Sequence, residues 1–206
     1  MRCSPSWISG ALAAAALAAL PPSLLAQAGD LPPAGYGTLR QDQIGVRLVT
    51  GQVMVRALPL DERVIRLLAP DAYQSLHELA QSRSAAIAAA ARAAGSDSAS
   101  LFMVTFFALE PRTQFSPDQI YVTSQGREFR PLAILPLTSG FAENRIDQRQ
   151  QAAAIYVFEP GIEVLRPFTV AYGDSTSDAW EQSLQLLDAE RSRARSRAQQ
   201  AQPARP

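Results

Sequence analysis

The chain holds one histidine, His77, and one cysteine, Cys3, and all 19 of its basic residues are arginine. Those few residues bound the chemistry. Without lysine there is no Schiff base and no phosphate-loop lysine. His77 could serve as a general base beside a serine and an aspartate. However, no G-x-S-x-G turn is present to raise a nucleophile. The spacing predicts instead that His77 is a helix-surface residue beside Glu78. Metal chemistry needs ligands at fixed intervals. No H-x-x-x-H, C-x-x-C or D-x-D-x-D-G run occurs, and neither glycine-rich nucleotide fingerprint does. A pair of carboxylates brought together by folding, as in glycosidases, is the enzymatic route that spacing does not reveal. No catalytic, cofactor-binding or metal-binding residue is therefore assigned, and the expectation is a protein that is not an enzyme.

Two further sets of residues could bind rather than react. Arg191, Arg193, Arg195 and Arg197 form a basic run, interleaved with Ser and Ala. The formal net charge of the whole chain is zero, so no long-range field gathers nucleic acid. The run reads as the solvated end of a helix, with an anionic surface polymer as its alternative partner. Phe102, Phe106, Phe107, Phe115, Tyr121, Phe129, Tyr156, Phe158, Phe168 and Tyr172 fall almost wholly in strand-like segments. They read as core, because buried rings contribute most per residue, with a ligand cleft as the rival.

The elements that must position these residues follow from periodicity. Residues 44–49 and 53–58 alternate as paired strands, with a turn at Thr50-Gly51. Asp61–Leu68 reads two ways: as a short helix that Asp61 could cap and Pro70 ends, the preferred reading, or as a strand in which Ile65 and Leu67 alternate. A helix over 70–94 follows, with Pro70 in its first turn and Gly95 as its stop. Leu101–Leu109 is an almost wholly apolar central strand. Ile120–Thr123, Phe129–Leu135, Ala154–Phe158, Ile162–Leu165 and Phe168–Tyr172 are further strands. Pro131 and Pro167 place two of them at sheet edges or bulges. Asp178 and Glu181 open a last helix, with Trp180, Leu184 and Leu187 as its inward stripe.

The ends read as peripheral. Residues 1–28 have the pattern of a secretory signal: Arg2, an apolar run from Ile8 to Leu20, Pro21-Pro22, and Ala26-Gln27-Ala28 as the cleavage site. The run is short of the ~20 residues that span a bilayer. Cleavage before Gly29 would remove the one cysteine, leaving an exported chain with no disulfide and no transmembrane segment. Residues 29–42 are expected as a flexible lead-in, 43–190 as the β-rich domain with a helical insertion near 70–94, and 191–206 as an Arg-rich, frayed tail.

Phe115-x-Pro117, Ile120-x-Val122, Gly126 and Phe129-x-Pro131, taken with Tyr156-x-Phe158 and Phe168-x-Val170-x-Tyr172, carry a resemblance. Over about residues 100–173 the chain resembles the immunoglobulin-like β-sandwich domains of secreted bacterial proteins. It departs from antibody-type domains in lacking the cysteine pair and in carrying helices at 70–94 and 178–198. The resemblance implies a mainly β fold with one inserted and one C-terminal helix. It also implies a non-enzymatic binding or structural module, periplasmic or secreted, with an envelope protein or surface polymer as partner. The alternatives are a carboxylate-based hydrolase and a carrier of a small apolar ligand. Two surfaces are expected to be available for binding: a sheet edge, preferred, and the helix at 71–94.

Overall fold

The computed structural model describes residues 31–201. The expected export signal lies outside the described residues. The fold is mainly β: three antiparallel sheets with a few helices, one of them C-terminal.

Strands β1 (Val46–Thr50), β2 (Val53–Pro59) and β3 (Ser100–Ala108) form a meander. β9 (Gln151–Phe158) pairs with the far side of β3, and β7 (Pro131–Pro136) with the far side of β9. The resulting order is β1-β2-β3-β9-β7. β3 is paired along both edges, as its unbroken apolar run requires. A second sheet runs β11-β10-β5-β6, from β11 (Ser175–Ser177), β10 (Phe168–Tyr172), β5 (Ile120–Ser124) and β6 (Arg127–Phe129). The third sheet is a short pair of β4 (Thr113–Gln114) and β8 (Arg145–Ile146). Gln125 and Gly126 join β5 to β6 with φ of 51° and 77°. Two positive values in a two-residue loop match the right-handed twist of a hairpin.

Alternation along the strands decides what lies between the two large sheets. Val55, Val104, Phe106, Ala154, Tyr156 and Phe158 point inward from the first and are fully buried. Ile120, Val122, Phe168 and Val170 answer from the second. Rings bridge the gap: Phe102 meets Phe168 edge-on at 5.6 Å, Phe106 meets Tyr172 at 5.6 Å, and Phe106 stacks on Phe115 at 4.5 Å. Eight of the ten aromatic residues singled out in the sequence are buried here, so the set is core. Phe107 and Tyr121 are the two half-exposed ones, and each lies under an arginine, Arg56 and Arg130.

Helix α1 (Gln41–Ile44) precedes β1, and α2 (Glu62–Ile65) follows β2. The Asp61 carboxylate caps α2 by accepting from the Arg63 amide at 2.8 Å, as the sequence predicts. The helix expected over 70–94 is two helices, α3 (Pro70–Ser82) and α4 (Ser84–Ala93), broken at Arg83. The last helix, α5 (Trp180–Ala201), anchors through Trp180, whose ring stacks on Phe168 at 4.8 Å and whose Nε1 donates to the Val164 carbonyl. Among the described residues no helix is long and apolar enough to cross a membrane.

Several segments differ from the sequence reading, each for a visible reason. Residues 162–165 form a turn instead of a strand; Trp180 takes the Val164 carbonyl, and Glu163 accepts from the Leu165 amide. Pro167 precedes β10, an inner strand held by β5 on one side and β11 on the other, so it marks no free edge. Pro131 does: β7 ends its sheet, with a bulge between Pro131 and Ala133. Residues 36–39 of the expected lead-in are laid along residues 67–69. Leu39 donates to Leu67 and accepts from Ala69, and a Cβ on Gly37 would sit 2.2 Å from the Leu67 carbonyl carbon. The expected tail from 191 is helical through Ala201 because an internal acid, Glu190, holds it.

Candidate functional site

Glu62 gathers three polar side chains, Arg66, Tyr73 and His77, around one half-exposed carboxylate. Glu62 opens α2 and Arg66 follows one turn later, so the two meet as an i,i+4 pair. On α3 the same spacing brings Tyr73 and His77 onto one face, and both reach Glu62. The Tyr73 hydroxyl lies 3.3 Å from Oε2, and His77 Nδ1 lies 2.7 Å from Oε1. A carboxylate only accepts, so the proton between them is carried on His77 Nδ1. Burial pushes the Glu62 carboxyl up, but the hydrogen bonds and charges of Arg66 and His77 outweigh it and leave the group below its ordinary value. Tyr73 is pushed up by burial and by the Glu62 charge.

His77 is half-exposed on the helix its spacing implies, but it bonds Glu62 and not the neighbouring Glu78. Its partner lies fifteen positions earlier. The signal for it was the pair of i,i+4 spacings, Glu62–Arg66 and Tyr73–His77, on either side of the Pro70 turn. A histidine oriented by a carboxylate is half of a nucleophile-activating arrangement. Among the described residues no serine or threonine hydroxyl hydrogen-bonds the ring. What the group does is tie α2 to α3.

A cleft of about 300 Å³ lies on the other side of α2, floored by Leu60, Phe102 and Ile162. Asp61 and Glu163 face one another across it. That is the carboxylate pair a hydrolase would need, and Arg63 occupies the space between them. Its Nε and Nη2 donate to Asp61 at 3.0 and 2.9 Å, and its Nη1 donates to Glu163 at 3.0 Å. Hydrogen bonds from the guanidinium to both acids, those to Asp61 foremost, hold Arg63 above its ordinary value against the effect of burial. The bridge fills the position that a glycosidic oxygen or an attacking water would take between the carboxylates.

The arginine run at 191–197 turns inward in part. Glu190 is 1% exposed and accepts from the Thr38 amide and hydroxyl, each at 2.8 Å, and from Arg197. Arg197 also donates to the Tyr36 carbonyl at 2.8 Å. Arg191 is mostly buried beside Asp188. These charges lock α5 to residues 36–38.

The remaining candidate is backbone. β7 reads Pro-Leu-Ala-Ile-Leu-Pro, carries no charge, and is half-buried from Pro131 to Leu135. Leu137 donates its amide to Ala153 at 2.8 Å. Because an antiparallel ladder alternates, Leu135 and Ala133 also face β9, and Ile134 and Pro136 turn their backbone groups away from it. Pro136 has no N–H to leave unpaired. The outward edge therefore presents the N–H and C=O of Ile134 and the carbonyl of Pro136, with the bulge at Leu132 beside them. Comparison of the chain with protein-family models, with curated proteins and with solved structures finds no match.

Proposed function

We propose that this protein is a binding module of the exported, immunoglobulin-like sandwich kind, and that it works by accepting an extended segment of a partner along β7. One observation carries the reading: an uncharged, half-exposed edge strand whose Ile134 N–H and C=O face away from the sheet. Soluble proteins usually blunt such edges with charge, and strand addition uses them. The partner chemistry follows from the strand. It is an extended, uncharged segment with β-branched or aromatic residues, matching the apolar sides of Ile134 and Leu135. The Glu62 group and the bridged Asp61–Glu163 pair support the fold on either side of α2. Export to the envelope places the partner there, as an envelope protein.

The test uses a displayed library of random extended peptides. Ile134→Pro removes one outward donor and leaves every amide that β9 uses, so the variant should keep its fold. Peptides selected on the wild type should be uncharged and strand-forming, and should lose binding to Ile134→Pro by tenfold or more. Loss instead to the double charge reversal Arg83→Glu, Arg92→Glu would move the contact to α3 and α4 and overturn the reading. Retained melting temperature checks folding in each case.

A further inference from the structure

A second surface lies on the outer face of the first sheet, at the end of the β1–β2 hairpin. The register sets its side chains in rows. Val49, Met54 and Phe107 are cross-strand neighbours near the hairpin end, and Leu109 lies beyond them, tied to the turn through its amide and the Gln52 carbonyl. Val49 is 64% exposed and Leu109 42%, among the most exposed large apolar residues described. Two residues further from the tip, about 7 Å along the strands, Arg47 stands directly opposite Arg56. Like charges directly opposed across a pair cost stability. Arg47 Nη2 donates to the Asp42 backbone carbonyl, and the Arg56 guanidinium lies 5.4 Å above the Phe107 ring. Burial and the Arg47 charge hold Arg56 below its ordinary value, with Asp42 pulling the other way.

The order from tip to body is therefore Leu109, then the apolar row of Val49, Met54 and Phe107, then two cations. A water–lipid boundary has the same order: acyl chains, then the interfacial region, then phosphates. We infer that this hairpin end docks on an anionic lipid surface, with Val49 and Leu109 entering the acyl boundary and Arg47 and Arg56 meeting the headgroup phosphates. The unfavourable arginine pair is then relieved by the phosphates. An acidic peptide would leave Val49 and Leu109 uncovered, whereas a bilayer buries them while its phosphates meet the cations. Glu110, beside Leu109, accepts from the Gln52 side-chain amide at 2.6 Å, and in the neighbouring loops Asp147 stands with Arg112 and Arg149, accepting from the Arg112 backbone amide. This surface is separate from β7, and its test does not depend on strand addition.

The test places a polarity-sensitive nitrobenzoxadiazole label at Val49→Cys in the full chain, in a Cys3→Ser background, with a label at Gln185→Cys on α5 as control. Vesicles of phosphatidylglycerol mixed with phosphatidylcholine should shift the Val49 label to the blue and leave the Gln185 label unmoved. Arg47→Glu, whose side chain is exposed, should raise the lipid concentration at half-maximal signal by roughly tenfold, and Arg47→Glu with Arg56→Gln by more. An unmoved Val49 label, an equal shift with pure phosphatidylcholine, or no effect of Arg47→Glu would overturn the inference. A shift produced by polyglutamate but not by anionic vesicles would assign the face to an acidic chain and would also overturn it.

Discussion

Glu62 shows how one side chain can hold two helices together. Its carboxylate accepts from Arg66, Tyr73 and His77, and the group sits below its ordinary value of 4.5. A carboxyl whose value is depressed by folding adds stability at pH values above its unfolded value. That contribution is lost as pH falls below about 4.5 and through the folded value, when protonation removes the acceptor. Glu62→Gln should therefore lower stability at neutral pH and flatten the acid limb of the stability–pH curve. Denaturant melts from pH 7 down to pH 3 would show this. A parallel loss of stability at every pH would mean that Glu62 contributes by packing and not by charge. Arg66, Tyr73 and His77 are the titratable groups facing it, and His77→Ala should reproduce part of the neutral-pH loss.

Among the elements, α5 relies on Glu190 in its second half, where its apolar stripe thins. Trp180 and Leu187 bury its first half, and beyond Glu190 only Ala194 is fully buried. Glu190→Ala would leave Thr38 without its acceptor and Arg197 without its counter-charge. Removing one partner of a buried ion pair costs about 3 kcal/mol or more; here the lower figure applies, because Arg197 is 36% exposed and can turn to water. Chemical denaturation measures this, and a cost below about 1 kcal/mol would show that α5 is held by packing alone. The sequence showed α5 and its Trp180 anchor. It did not show that Glu190 reaches Thr38, because that contact joins residues 152 positions apart. The same limit hid the Glu62–His77 pair and the arginine bridge across Asp61 and Glu163. Local rules did reach the Asp61 cap and the buried β3. They failed at Ile162–Leu165, where a strand-like run is held as a turn by Glu163, which accepts from the Leu165 amide, and by Trp180, sixteen positions beyond Val164.

At the scale of the whole molecule, the two large sheets are joined through a continuous set of rings from Phe102 to Trp180, and the polar groups tie helices to that body. Pairing is complete where β3 and β10 run between neighbours, and it stops at β1 and β7 in the first sheet and at β11 and β6 in the second; of these four, β7 is wholly apolar. The central claim is that this unfinished edge is where a partner strand is added. Amide hydrogen exchange tests it most directly, because it reads individual backbone N–H groups. With a selected extended peptide bound, the Ile134 amide should slow by at least tenfold, whereas Ala133 and Leu135, already bonded to β9, should change little. Protection that appears on α3 and α4 with the Ile134 amide unchanged would contradict the account.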